Sequence, residues 1–361
     1  MDFDYVVMPA VILVIALLLM WFCIRRMRAI SAEDYRPWRK GAERAVLSFI
    51  VLVAILLTGS SSLNAIKLYR FRSTNPPPGT FYSVDGRKMR INCTGSGSPA
   101  LILEAGSGGD GLVWGGVQPV LSKTTRVCSY DRAGLGWSEP RPGTRDADRI
   151  AGELHELLHE ANVTGPFVLM GHSVAGLYMR DYVSHYPADV AGLIFVDSVV
   201  PSPSRESGVN VPLIMTVAMR PVFILGIPRL TGACSHPKPG FDASTGMMQR
   251  EDVCHTEYGA CLAELEGRDR SDQQTANTGP YGELPVLILS HDPAHNGVVA
   301  DQAQEELKKL SVRSRRVIAK GSGHYIMFDR ADVIEREVPL FVEQIRGTAP
   351  WAAAFGSTSA E

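Results

Sequence analysis

The sequence predicts an α/β fold: a mostly parallel eight-stranded sheet with helices on both faces and a helical cap, preceded by a hairpin of two apolar helices. Three observations carry this. Short strand-like runs alternate with helical patterns from residue 81 onward, two uncharged apolar stretches occupy the first 70 residues, and from about 201 to 282 the alternation lapses into a stretch rich in proline and glycine. With 361 residues, 45% apolar and 20% charged, the chain has enough apolar side chains for one large folded domain behind the hairpin.

The first element is the hairpin. Residues 6–24, VVMPAVILVIALLLMWFCI, carry no charge, and neither do residues 45–57, AVLSFIVLVAILL, which continue through a small polar stretch to Ile66. A bilayer core of about 30 Å needs roughly 20 mostly apolar residues at helical rise. Residues 6–24 meet that length, and 45–66 meet it when TGSSSLNAI is included. The acidic start MDFD lacks the basic flank of a cleaved secretory signal, so the first stretch is read as an uncleaved membrane helix. Between the two, residues 25–44 hold seven basic side chains against Glu33, Asp34 and Glu43, and short basic loops stay in the cytoplasm. The expectation is a multi-pass cell-membrane protein whose folded domain lies on the opposite side, although Lys67, Arg70 and Arg72 weaken that bias. Membrane lipid is therefore an expected partner of residues 1–70. The remainder holds 27 basic side chains against 33 acidic ones, a balance that argues against nucleic acid.

Residues 71–80 read as a stiff proline-rich spacer, 81–347 as the domain and 348–361 as a mobile tail. The strands are expected at TFYSVDG, RKMRINCTG, ALILEAG, RVCSYD, PFVLMGHS, AGLIFVDS, PVLILSH and RSRRVIAKG, with helices such as 145–162 and 175–187 between the later ones. Within the interruption, VPLIMTVAMRPVFILGIPRL is apolar enough to suggest a third span. Arg220, Pro221, Pro228 and Arg229 argue against that, since a central arginine costs about 2.5–3.5 kcal/mol on insertion. It is read as a cap over the active edge of the sheet, with contact between its apolar face and the bilayer as the alternative.

The strongest chemical signal is GHSVAG at residues 171–176. It approximates G-x-S-x-G, in which a serine sits on a sharp turn between a strand and a helix, and the apolar strand before it and helical pattern after it supply that context. Ala175 stands where the last glycine is usual. That position already enters a right-handed helix, where bulk and not positive φ is the constraint, so alanine is tolerable. Chain order gives a second test, because nucleophile, acid and histidine follow one another in this arrangement. Asp292 in SHDPAHN and His324 in AKGSGHYIMF both follow strands, and Asp197 in FVDSVV is the rival acid. Asp292 is preferred because its surroundings are more loop-like. His324 would take the proton of Ser173, and the carboxylate would fix the imidazole tautomer. The oxyanion would be met by backbone amides, with Ser107 in EAGSGG and Val174 the expected pair and Gly106 or Gly108 as substitutes for Ser107. His172 reads as a packing or site-lining residue.

HELLH at residues 155–159 matches the zinc-protease pattern H-E-x-x-H. On the helix, Ile150, Ala151, Leu154, Leu157, Leu158 and Ala161 form the apolar stripe, and both histidines fall off it. Asn162 and Gly165 stand where the extended motif wants glycine and histidine, so the helix reads as structural and no metal or cofactor is expected.

With these motifs in order, residues 81–347 resemble the α/β-hydrolase superfamily. The likeness extends to SYDRAGLGWSEP, where Asp131, Gly134, Gly136 and Ser138 match the D-x-x-G-x-G-x-S loop seen in esterase-, peptidase- and epoxide-hydrolase-like members. The resemblance implies a serine hydrolase acting on a small-molecule ester or related acyl substrate through an acyl-enzyme, because members that open epoxides or cleave carbon–halogen bonds carry aspartate at the elbow. An acyltransferase or aminopeptidase on the same machinery, and a degenerate binding protein on the same fold, are the alternatives. The family sheet order would set Cys93 beside Cys128 and so implies a bridge there in an oxidising compartment. Among Cys234, Cys254 and Cys261 it leaves one further pair open.

Overall fold

The computed structural model describes residues 3–31, 35–202, 211–232, 241, 246–248, 251, 254, 258–295, 301–351 and 358–360. The N-terminal apolar runs form two long helices, α1 (Phe3–Ile30) and α2 (Pro37–Thr74), packed against each other. Both are long and apolar enough to cross a membrane by length and composition. Because α2 continues to Thr74 and the first strand starts at Thr80, the proline-rich spacer is shorter than the sequence suggests.

All eight expected strands form: β1 (Thr80–Val84), β2 (Arg87–Thr94), β3 (Leu101–Glu104), β4 (Val127–Tyr130), β5 (Phe167–His172), β6 (Val190–Val196), β7 (Val286–Ser290) and β8 (Ser314–Ala319). A short ninth, β9 (Thr358–Ala360), comes from the stretch read as a mobile tail and pairs with β8 in parallel. The order is β1-β2-β4-β3-β5-β6-β7-β8-β9. Among the described residues, only β1·β2 and β2·β4 pair antiparallel. Asp85 and Gly86, with φ of 46° and 73°, make the tight turn between β1 and β2, a conformation that favours the Asp-Gly pair. Cys93 lies opposite Cys128 across β2·β4, and the two form the expected disulfide.

Further α-helices among the described residues are α3 (Gln118–Leu121), α4 (Ala147–Glu160), α5 (Ala175–His185), α6 (Val211–Ile224), α7 (Ile227–Leu230), α8 (Tyr258–Glu266), α9 (Arg268–Thr275), α10 (Asp301–Leu307), α11 (Ile326–Asp329) and α12 (Ala331–Arg346), beside short 3-10 turns and a helical stretch at 246–248. The central strands are buried along their whole length, as parallel strands covered on both faces must be. Alternate residues feed two cores. Ile102, Leu169, Leu193 and Ile288 pack with Leu154 and Leu157 of α4, whereas Leu103, Met170, Ile194 and Leu289 pack with Val338 and Phe341 of α12.

Helices α6 to α9 fall between β6 and β7, where the cap was expected. The chain leaves β3 toward β4 on one side, and β5 lies on the other. The loops after these strands therefore flank the point where the strand order reverses, which is where open α/β sheets bind ligands.

Candidate active site

Ser173 follows β5 directly and holds φ at +56°, the left-handed region that a non-glycine residue occupies only when its surroundings enforce it. The enforcement is visible. The Ser173 amide donates to the Val196 carbonyl at 3.2 Å, and its carbonyl accepts from the Val199 amide at 3.0 Å. The Ser198 hydroxyl donates to the Gly171 carbonyl at 2.8 Å. The turn after β6 is thus laced onto the serine turn. Small residues make room for it: a Cβ on Gly171 would lie 2.9 Å from the Ala175 methyl, and one on Gly176 would lie 2.8 Å from Ser198 Cβ. Ala175 is fully buried without displacing the helix, as the small-residue argument requires.

The same turn carries a carboxylate onto a histidine. Asp197, fully buried with φ of +43°, accepts at Oδ2 from His324 Nδ1 at 2.6 Å. Its Oδ1 accepts from both the backbone amide (3.2 Å) and Nδ1 (2.6 Å) of His291. Burial pushes the Asp197 carboxyl up, but the bonds from His324 and His291 outweigh it and hold the group below its ordinary range. Asp292, the acid preferred from the sequence, makes no such bond to His324 among the described residues. Its carboxylate is turned away to accept from the amides of Ala294 (2.9 Å) and Gly321 (2.8 Å), which tie two surface loops together. Loop character suits a capping carboxylate as well as a catalytic one, so it could not discriminate. The neighbouring His291, which the sequence reading passed over, is the residue of that stretch that reaches the site.

With Nδ1 donating to Asp197, the nitrogen of a neutral His324 ring left to accept a proton is Nε2. His172 fixes that ring beside the serine turn. Its Nε2 donates to the His324 carbonyl at 2.9 Å, and the two ring centroids are 4.5 Å apart. Burial, then the proximity of His324, lowers the His172 pKa to about 3, so it stays neutral and serves as a strut. Among the described residues, no hydrogen bond joins the Ser173 hydroxyl to His324. Such contacts are often long without substrate and tighten in the complex.

The loop after β3 lies against this pair, since a Cβ on Gly106 would fall 2.7 Å from His172 Nδ1 and 3.3 Å from Ser173 Cβ. Gly108 is removed as an oxyanion donor because its amide donates to Glu264 Oε2 at 3.2 Å. Among the described residues the amides of Gly106, Ser107 and Val174 donate to no acceptor, which leaves them able to meet an anion. Arg132 shapes the loop from below. It donates to the carbonyls of Ala105 and Gly106, each at 2.7 Å, to Glu104 at 2.7 Å and to Glu264 at 2.6 Å. Tyr130 donates to the second oxygen of Glu104.

The loop at 131–138 is structural. Both Asp131 oxygens accept from Arg90 at 2.6 Å, and a Cβ on Gly136 would lie 2.5 Å from Asp131 Oδ2. His155 stacks on Tyr186 with ring centroids 3.8 Å apart, and the His159 side chain is exposed, so the H-E-x-x-H histidines do not converge. Asp148, Asp181 and His185 do bring metal-type ligand atoms within 4.8 Å of one another, on α4 and α5. Of the cap cysteines, Cys261 is a free thiol, Cys254 is disulfide-bonded and Cys234 lies outside the described residues.

Residues 101–337, from β3 to within α12, match the model of the Alpha/beta hydrolase family, and the match includes the serine turn, Asp197, His291 and His324. The chain belongs to that family. It is similar to a probable transporter, efuK, of Hormonema carpetanum (26% identity over 293 residues, 73% of this chain and 42% of that protein), so it spans less than half the length of this relative. An AB hydrolase superfamily protein of Gibberella zeae is 26% identical over 288 residues, 69% of this chain and 87% of that protein. Among solved structures, a thermophilic esterase from Thermogutta terrifontis superposes with a TM-score of 0.60 at 18% identity, covering 74% of this chain and 99% of the esterase. That likeness is one of fold.

Proposed function

We propose that this hydrolase is a membrane-anchored serine hydrolase that cleaves an ester or related acyl substrate. The observation that carries the reading is the 2.6 Å bond from His324 Nδ1 to buried Asp197, laced beneath a serine held at φ +56°. In this reading His324 Nε2 takes the Ser173 proton as Oγ attacks the substrate carbonyl. The Ser107 and Val174 amides receive the oxyanion, each contributing on the order of 3 kcal/mol to lowering the barrier. His324 then protonates the leaving alcohol, and water, deprotonated by the same imidazole, releases the acid. Asp197 keeps Nδ1 protonated and offsets the imidazolium charge, while His291 holds the carboxylate in place.

The two apolar helices would anchor the enzyme, with the basic segment 25–44 in the cytoplasm and the hydrolase domain opposite. The Cys93–Cys128 bridge supports placing the domain in an oxidising compartment. The test is hydrolysis of short-chain aryl esters by the purified full chain. Turnover should fall to background in Ser173→Ala and His324→Ala, and a folded wild type without esterase activity would refute the reading.

A further inference from the structure

We infer that the cap is docked at bilayer level, with α6 lying against lipid acyl chains, and that the site therefore takes acyl esters dissolved in the lipid phase. The substrate part rests on the hydrolase reading above. The placement of α6 does not.

The first observation is the use made of the polar stretch in α2. Ser60, Ser61 and Asn64 fall inside the expected span 45–66, where polar groups facing lipid are costly. Ser60 and Asn64 face the cap instead. Ser60 Oγ donates to the Leu225 carbonyl at 2.6 Å, and Asn64 Nδ2 donates to the Phe223 carbonyl at 2.9 Å. Arg229 Nε donates back to Asn64 Oδ1 at 3.1 Å. Gly226, at φ +68°, lets the turn press in, since a Cβ there would lie 2.8 Å from Asn64 Cγ. These carbonyls lie at the C-terminal end of α6 and just past it, where a helix leaves acceptors without intrahelical partners, and that of Phe223 also receives the Gly226 amide at 2.9 Å. In lipid those acceptors have to be met by protein.

The second observation is α6 itself. No charged residue stands between Glu206 and Arg220. Ile214, Met215, Val217 and Met219 are exposed, at 54%, 58%, 53% and 39% respectively. At about 100° per residue these positions cover roughly 200° of the helix circumference. A helix that is apolar over so much of its surface belongs in a core or in a membrane, and of the side chains described in α6 only that of Ile224 is buried. The hairpin on which α6 is docked also exposes apolar side chains beside the docking stretch of α2, at Leu63 and Ile66. Because α6 is docked on two helices long and apolar enough to span a bilayer, the occupant inferred is lipid.

The third observation connects this surface to the chemistry. Helix α6 packs on α8, and α8 contacts α1 and carries Glu264, which receives the Gly108 amide and the Arg132 side chain. The part of the cap that touches the hairpin thus also fixes the loop bearing Ser107.

The test uses the full chain in phosphatidylcholine vesicles with two readouts. For placement, Met215→Trp adds a fluorophore to α6, and vesicles of brominated phosphatidylcholine should quench the fluorescence added over wild type. Absence of that extra quenching overturns the placement and indicates that α6 faces water or a protein. For substrate delivery, an Ile214→Glu/Val217→Glu double variant should keep p-nitrophenyl acetate turnover within about twofold of wild type. It should lose about tenfold or more on a vesicle-embedded oleoyl ester. Val312→Glu, at an exposed site outside the cap, should keep both activities. Equal retention of both by the double variant overturns the lipid-phase supply. A wild type inactive on both esters overturns the hydrolase reading, and the quenching result still decides the placement.

Discussion

Asp197 Oδ2 receives the Nδ1 proton of His324 at 2.6 Å, although 127 residues separate the two in sequence, whereas Asp292, much closer in the chain, makes no such bond. The geometry makes a direct distinction between the carboxylates. Asp197→Asn should lower kcat/KM by roughly 10³–10⁴, because the amide favours the wrong imidazole tautomer. Asp292→Asn should leave kcat within a few-fold and act on the stability of the loops it caps. Steady-state ester kinetics on the two variants check this, and the reverse ranking would restore Asp292 as the acid.

His172 should make stability depend on pH. Its folded-state pKa of about 3 lies below the ordinary histidine value of 6.5, so the unfolded chain binds the proton more readily. The contribution is fully present above pH 6.5 and is lost as pH falls from there toward 3, at up to about 1.4 kcal/mol per unit. Asp197 acts in the same direction but at lower pH, since its folded pKa is depressed from the carboxylate range. In His172→Gln the amide can still donate to the His324 carbonyl. Denaturant titrations between pH 7 and 4 should therefore show a flatter pH dependence than wild type. An unchanged slope would mean that another group carries it.

The serine turn gives a contrast between neighbouring positions. Ala175→Gly removes a buried methyl and should cost about 0.5–1 kcal/mol while changing ester turnover little. Gly176→Ala would place a methyl 2.8 Å from Ser198 Cβ and 2.9 Å from the Val199 carbonyl, forcing α5 away from the turn that carries Asp197. Its cost should reach about 1–3 kcal/mol, with a fall in kcat. Thermal melts paired with turnover measurements distinguish the two. A large gain in activity on Ala175→Gly would show that its methyl strains the turn.

Arg132 links the cap to the β3 loop from a fully enclosed position between Glu104 and Glu264. Burial already raises the Glu104 carboxyl above its usual range even with Arg132 beside it. Arg132→Met leaves two buried acids without their cation and frees the carbonyls of Ala105 and Gly106. A loss of about 3–5 kcal/mol is expected in denaturant unfolding. Glu264→Gln, which retains an acceptor for Arg132, should lose less.

What could be read from the sequence follows from the range of the interactions involved. The strands were legible because each is a short apolar run bounded by turn residues, and the serine turn because its constraints all fall within residues 171–176. His324 was legible by order along the chain. The acid was not, because Asp197 and Asp292 both lie between Ser173 and His324 and both end strands. What separates them is the set of bonds from residues 196–199 to residues 171–173, and single-sequence pattern carries no trace of it. His291 and the Arg132–Glu264 pair escaped for the same reason, their partners lying 94 and 132 residues away. Ser60 and Asn64 of α2 read as a weakness in a span, and their role is visible only against Leu225 and Phe223.

The most direct measurement is labelling of the full-length protein with a fluorophosphonate, followed by peptide mass spectrometry. The account predicts a single adduct on Ser173 that disappears in Ser173→Ala and is strongly slowed in Asp197→Asn. A folded wild type that takes up no label, or an adduct at another residue that persists in Ser173→Ala, would contradict it.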